Sequence, residues 1–448
     1  MAQINLNFPP HLYLENQTLS AKEQGQIVAN LAAQLTAAKT HGNLAVCNLP
    51  APQTILLAMA CLVAGWKFQP VSNRYPISKR SEFAAALQSD FVFPQTEFNA
   101  SLPSLKLQFD TAKLVNANLR LTNFYCSSLL TSGSSGMPKI VDHEVINHLH
   151  AADFCNPILQ LESSSCWLMS LPLFHASGYA ILMRCLRAGA SIAVAQSCGV
   201  TLQDLQKFPI THVSLVATQL FRLLQNPAFN AQELLLKHIM LGGSAIPVEL
   251  MQAAQNRGFR VLLGYGMTET AAAILLGEFA SDCSLALTGA EPFEIIDGEI
   301  MLKGRQVAEF YWENAKQVPL KNAAGLFATG DLAKIKNGRI YITGRKGNRF
   351  ISGGENIQPE LIEQRLQQHY AVDLALVVPF DDLEFGQRPL AFVRWNNAVQ
   401  VPSKNDLEQW LKQELPSFMC PVEYREFPQD LPLDQKIVRQ DFVNLANC

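Results

Sequence analysis

The sequence predicts an α/β protein: a large N-terminal domain of mixed, largely parallel sheets packed with helices plus a β-rich subdomain, followed by a small α+β C-terminal domain. Three observations carry that expectation. Short apolar runs alternate with helical stretches along most of the chain. The texture changes near Thr288 to short strand-like pieces containing Asp-Gly and Asn-Gly. Finally, 448 residues are more than one hydrophobic core usually supports.

Taken in order, NLAVCNL, APQTILLAMACLVAG and WKFQPVS read as strand, helix and strand. The apolar stretch Thr54 to Trp66 is too short to cross a bilayer and reads as a buried helix, ended by Gly65. The theme returns in SSSCWLMSLPL, GYAILMRCLRAG and ASIAVAQ, in PITHVSLVA with TQLFRLLQN, and in HIMLGGSAIP, VELMQAAQNRG and FRVLLGYG. From Thr288, EIIDGEIMLKG and GLFATGDLAKIKNGRIYITGR suit hairpins, because Asp-Gly and Asn-Gly favour the two-residue turns that join twisted strands. Beyond Arg345 a glycine-rich segment leads into a helix opened by Pro359 and then a strand. The polar junction at Lys346 and Gly347 divides the chain into 1–345 and 346–448.

With 48% hydrophobic and 16% charged residues there is ample material for large cores and no signature of disorder. Lys and Arg total 35 against 38 acidic residues, so no basic surplus attracts nucleic acid or an anionic membrane, and any anionic ligand must be held by a local site. No apolar run is long enough for a membrane span, and the first residues lack the basic and apolar regions of a secretory signal, so a cytoplasmic protein is expected. The ten cysteines are scattered without a C-x-x-C pair and read as plain thiols. In VDHEVINHLH, His143 and His148 are five apart rather than the four of paired zinc ligands on a helix, so this stretch reads as a solvated helix and not a metal site.

Four segments carry chemistry. LLTSGSSGMPKIV gathers Thr131, Ser132, Ser134 and Ser135 around two glycines with Lys139 behind, a set of donors suited to a polyphosphate, although it lacks the Walker spacing and a flexible surface loop fits it as well. LLGYGMTET brings together an aromatic ring for a base (Tyr265), a hydroxyl for a phosphate (Thr268) and a carboxylate for a magnesium ion (Glu269). Asp331, in TGDLAKI, and Arg345, in YITGRKGN, could hold a ribose or could equally form a structural pair within a hairpin. Lys436, in LPLDQKIVRQDF, would on its own read as a solvated side chain.

Their order changes that balance. TSGSSGMPK, YGMTE, TGD, GRKGN with SGGENI, and a late K-I-x-R together resemble the adenylate-forming superfamily of acyl-CoA synthetases, luciferases and peptide-synthetase adenylation domains, over nearly the whole chain. The stretches SLPLFHASG, VSLVATQLFRLL, LGGSAIPVEL, SGGENIQPELIE and EFGQRP are similar to the o-succinylbenzoate–CoA ligases of menaquinone synthesis within it. The resemblance implies an acid–CoA ligase using ATP, CoA, a small carboxylic acid and Mg2+. Other aryl or fatty acid–CoA ligases, and a degenerate adenylate-binding protein, are its alternatives. A homo-oligomer is compatible with it.

Carried over residue by residue, the resemblance gives Thr131, Ser132, Ser134, Ser135 and Lys139 to the β- and γ-phosphates. It gives Gly242, Gly243 and Ser244 to the adenine pocket, Tyr265 to the base, Thr268 to the α-phosphate and Glu269 to magnesium. Asp331 and Arg345 match the ribose positions, and Lys436 matches the lysine that bridges the substrate carboxylate and the α-phosphate. The small domain is expected to be mobile, engaging Lys436 for adenylation and the loop Ser352, Gly353, Gly354 and Glu355 for the CoA step. Two departures stand out: Gly347 occupies a hinge position that often holds Asp or Lys, and Gln435 replaces the glycine that usually precedes the lysine. A second carboxylate on the acid would need a buried cation, for which Arg184 is the candidate, with Ser214 and His175 lining the same pocket or the pantetheine channel.

Overall fold

Eight strands form the central sheet of the computed structural model, in the order Ala272–Glu278, Arg260–Met267, His238–Leu241, His212–Leu215, Cys166–Met169, Ser191–Val194, His11–Tyr13 and Thr18–Ser20. The structure describes residues 4–99, 101–110, 120–131, 139–195, 199–243, 246, 248–278, 285–286, 293–313, 316–352, 355–396, 399–413, 415–428 and 438–447. The six inner strands are parallel and only the two edges run antiparallel. The chain leaves Cys166–Met169, adds Ser191–Val194 on one side, then returns to add His212–Leu215 on the other. A reversal of this kind opens a crevice at the carboxyl ends of the strands, where ligands of open α/β sheets bind.

Both faces of this sheet are covered, which explains its nearly unbroken apolar strands. On one face Leu168, Val213, Leu215, Ile239 and Val261 pack with Leu205, Leu220, Leu223 and Met251 of the helices Leu202–Lys207, Ala217–Leu224 and Val248–Asn256. On the other, Trp167, Ile192 and Leu262 meet the helices Val145–Leu159 and Ala176–Ala188. These helices share their core with Ala51–Ala64, the expected buried helix, and with Ala21–Ala38, whose start is fixed by a reciprocal cap between Ser20 and Glu23. Such a cap contributes about 1 kcal/mol.

A second sheet runs Lys316–Pro319, Phe310–Glu313, Lys139–Glu144, Tyr125–Thr131, Lys67–Val71, Asn43–Cys47 and Phe91–Phe93. Its centre is pinned by buried Asp142, which accepts from Ser128 Oγ at 2.6 Å and Trp312 Nε1 at 2.8 Å and pairs with Lys67 at 2.5 Å. Four strands are thereby tied together.

Packing divides the chain into two compact units, 1–293 with 302–327, and 294–301 with 328–448. The hairpins Phe293–Ile296/Glu299–Leu302 and Phe327–Lys336/Arg339–Arg345 turn at Asp297-Gly298 and Asn337-Gly338, all four residues with positive φ, as the dipeptides predict. The β-rich stretch is shared: Glu294–Met301 and the residues from Ala328 onward pack with the C-terminal residues, whereas Leu302–Phe327 packs with the first unit. It continues through the helix Pro359–Gln367 and the long antiparallel pair Val372–Asp382/Gly386–Trp395. Cys47, Cys61, Cys126, Cys155, Cys166, Cys185 and Cys420 are buried free thiols. Among the described residues no helix is long and apolar enough to cross a membrane.

Candidate active site

The carboxyl ends of the parallel strands gather several of the expected residues. His238–Leu241 runs out into Gly242 and Gly243, the latter in the left-handed region with φ of 87°. A Cβ on Gly242 would lie 3.0 Å from the carbonyl of Gly264 on the next strand. Half-buried Tyr265 lies near the end of Arg260–Met267, beside a bulge where a Cβ on Gly266 would meet Ala272 O at 1.9 Å. The bulge turns the strand into the 3-10 turn Thr268–Thr270, which carries Thr268 and Glu269 and ends in two left-handed alanines, Ala271 (φ 50°) and Ala272 (φ 94°).

The second sheet completes this region. Thr131 and Lys139 face each other across their ladder, flanking the glycine-rich loop. Lys139 pairs with Glu313 at 2.8 Å and stands 4.5 Å above the Tyr311 ring, and the Tyr311 hydroxyl donates to Glu269 Oε1 at 2.5 Å. Tyr311 therefore links the base of the loop to the turn bearing Glu269. Ser132, Ser134, Ser135, Ser244, Gly353, Gly354 and Lys436 lie outside the described residues.

Beneath the crevice, Arg184 is 2% exposed within the helix Ala176–Ala188. Its guanidinium donates to two sulfur atoms, Nη1 to Met240 Sδ and Nη2 to Cys155 Sγ, each at 3.3 Å, with its Cζ 5.7 Å from the Trp167 ring centroid. Among the described residues its Nε is buried without a hydrogen-bond partner. Ser214 is the register partner of Met240, so its side chain shares the sheet face that meets Arg184. His175 is different: it is exposed, precedes the same helix and lies edge-on to Phe174 at 4.7 Å.

The histidine-bearing stretch is not solvated. His143 sits on the strand Lys139–Glu144 and is 0% exposed; His148 is 1% exposed in the following helix. Burial holds the His143 imidazole down at about 4, against the opposing effect of its bond to Thr268, and pushes His148 well below its ordinary range. His148 shares the buried face of its helix with Val145, Ala152 and Cys155 and lies 4.6 Å from the Tyr179 ring, while His143 reaches Thr268 O from its strand. Among the described residues no group of three His, Cys, Asp or Glu side chains is arranged to hold a metal.

In the second unit, Asp331 and Arg345 are cross-strand partners and pair at 2.8 Å, with Arg345 also donating to Thr329 O at 3.0 Å. Asp331 stands within a ten-residue strand rather than at the end of a run. Ser352 and Glu355 pair across the short hairpin of the second glycine loop, Ser352 buried and Glu355 exposed.

A crevice at the switch point of a parallel sheet, edged by glycines and by a clamped acidic turn, defines an α/β enzyme that handles a nucleotide. Residues 7–312 match the AMP-binding enzyme family and residues 361–436 the AMP-binding enzyme C-terminal domain. The 2-succinylbenzoate–CoA ligase of Salmonella typhimurium is 38% identical over 388 residues, covering 85% of this chain and 82% of that protein. That of Escherichia coli is 36% identical over 384 residues, with the same coverages of 85% and 82%. Among solved structures, E. coli MenE with a bound analogue of OSB-AMS superposes with a TM-score of 0.80 at 33% identity, covering 98% of this chain and 95% of that one. The Bacillus subtilis o-succinylbenzoate CoA synthetase shares the fold, with a TM-score of 0.82 at 24% identity over 99% of this chain and 98% of that one. The chain belongs to the AMP-binding enzyme family, in its 2-succinylbenzoate–CoA ligase branch.

Proposed function

We propose that this protein joins 2-succinylbenzoate to CoA at the expense of ATP, the thioester-forming step of menaquinone synthesis. One observation supports the choice of acid above others: Arg184 is a buried guanidinium without an anionic partner among the described residues. Leaving a buried charge uncompensated costs several kcal/mol, so the position makes physical sense when a carboxylate arrives with the substrate. A monocarboxylic fatty acid would bring none to that depth. Ser214, on the same face, is an adjacent hydroxyl.

The first half-reaction is attack of the other carboxylate oxygen on the α-phosphorus of ATP, breaking the bond to pyrophosphate. The second is attack of the CoA thiolate on the acyl carbon, releasing AMP. Negative charge accumulates in both, so fixed donors at the reacting oxygens are the main catalytic resource. Thr268 donates to the α-phosphate and Lys436 bridges it to the acid. Thr131, Ser132, Ser134, Ser135 and Lys139 hold the outer phosphates, Gly242, Gly243, Ser244 and Tyr265 receive adenine, and Asp331 with Arg345 holds the ribose. Ser352, Gly353, Gly354 and Glu355 serve the CoA step, the segment around Lys346 and Gly347 acting as the hinge between 1–345 and 346–448.

Glu269 fits a magnesium ion carried on the triphosphate. It offers one carboxylate, oriented by Tyr311, and this ion characteristically takes one or two carboxylates together with substrate phosphates. When bound, the ion neutralises phosphate charge and favours departure of pyrophosphate.

The test is a coupled assay with ATP, CoA and 2-succinylbenzoate beside benzoate and octanoate. AMP formation dependent on 2-succinylbenzoate, with the other acids at background, is expected. Equal or greater turnover of octanoate would overturn the assignment of the acid.

A further inference from the structure

The turn Thr268–Thr270 is held through its backbone carbonyls, one after another. His143 Nε2 lies 2.7 Å from Thr268 O, the backbone N–H of Ala308 donates to Glu269 O at 2.9 Å, and Gln306 Nε2 donates to Thr270 O at 2.8 Å and to Ala273 O at 2.5 Å. Facing a carbonyl, His143 carries its proton on Nε2. The two alanines that follow the turn occupy the left-handed region, and such a backbone persists only where its surroundings over-determine it.

Both side-chain donors are fully buried, and each leaves another polar atom buried without a partner among the described residues, His143 Nδ1 and Gln306 Oε1. Each side chain thus bears the cost of one unpaired polar atom while satisfying carbonyls of the turn and of the strand that follows it. We infer that His143 and Gln306 are positioning residues that fix, through the carbonyls of the turn, the direction of the Thr268 hydroxyl and the Glu269 carboxylate. This rests on the reading of Glu269 as the magnesium-binding carboxylate, and adds the residues that aim it. Outer residues of this kind typically change metal affinity or activity about 10- to 100-fold.

The experiment measures two quantities on the full chain: the Mg2+ requirement of acid-dependent ATP–pyrophosphate exchange, and calorimetric ATP affinity with and without Mg2+. The variants are Glu269→Gln, His143→Leu, His143→Gln, His143→Asn and Gln306→Glu. His143→Leu and Gln306→Glu should raise the Mg2+ needed for half-maximal exchange about tenfold or more and weaken the Mg2+ enhancement of ATP binding. His143→Gln, whose amide N–H reaches the place of Nε2, should stay close to the parent. The inference is overturned if His143→Leu keeps the parental Mg2+ requirement or if His143→Gln is as impaired as His143→Leu. Should His143→Leu lack a cooperative melt, the Gln and Asn variants decide, because Asn places its N–H too short to reach Thr268 O; equal Mg2+ requirements in the two overturn it. If Glu269→Gln itself leaves the Mg2+ requirement unchanged, the reading of Glu269 has failed instead.

Discussion

Tyr311 and Glu269 lie 42 positions apart in sequence and share a hydrogen bond of 2.5 Å, the phenol donating to the carboxylate. The tyrosine comes from an inner strand of one sheet and the glutamate from a turn at the end of the other. A hydrogen bond to an ionised carboxylate contributes about 1.5–3 kcal/mol, and here it also fixes the rotamer. Tyr311→Phe should therefore raise the Mg2+ needed for half-maximal adenylation roughly tenfold and lower the melting temperature by a few degrees. Exchange assays at graded Mg2+ read this directly, and unchanged Mg2+ dependence would show that Glu269 is aimed without Tyr311.

Arg184 sets function against stability. Its guanidinium contacts two sulfur atoms and an indole, none of which compensates its charge. Replacing a buried charge with a well-packed apolar side chain is often neutral or stabilising by about 1–4 kcal/mol. Arg184→Met should melt at or above the parent temperature and yet lose turnover of 2-succinylbenzoate. Activity retained in this variant, measured by AMP release, would remove the acid's second carboxylate from this pocket.

Much of this arrangement was legible in the sequence, and what was not has identifiable causes. Alternating strands and helices, and the Asp-Gly and Asn-Gly turns, are local patterns and appear where expected. The clamp on the turn is not local: Tyr311, Gln306 and His143 reach it from segments whose own patterns say nothing of Glu269. The pairing of Asp331 with Arg345 is a subtler case. Counting outward from the Asn337-Gly338 turn sets Asp331 opposite Gly344, but the register slips by one residue at Leu332/Ala333, and this bulge brings Arg345 across instead. A bulge of this kind leaves no reliable mark in residue type.

That pair yields its own prediction. Arg345 is 57% exposed in its side chain, so the ion pair itself contributes no more than about 1 kcal/mol to stability. If the Asp331 carboxylate accepts from the ribose hydroxyls, Asp331→Asn should narrow the preference for ATP over 2′-deoxy-ATP by about tenfold, the value of a charge-assisted hydrogen bond. Kinetics with the two nucleotides would reveal this. An unchanged preference, with only a lowered melting temperature, would reduce the pair to a hairpin clasp.

Buried histidines give the fold a pH dependence whose sign can be worked out. His143 and His238 are held down at about 4 chiefly by burial, and His148 and His212 are lowered for the same reason. In the unfolded chain each takes up a proton as pH falls through about 6.5. The folded state refuses that proton until about pH 4 for His143 and His238. Between these limits the unfolded state binds more protons, so stability, full at pH 7 and above, declines as pH falls and levels off once the folded histidines also titrate. Each such histidine contributes a slope of at most about 1.4 kcal/mol per pH unit. His148 offers the cleanest test, because its Nε2 lies 2.9 Å from Ser127 Oγ and glutamine can span the same reach. His148→Gln should unfold in urea with a shallower loss of midpoint between pH 7 and pH 5 than the parent. Identical pH profiles for the two proteins would mean that His148 carries no proton linkage to folding.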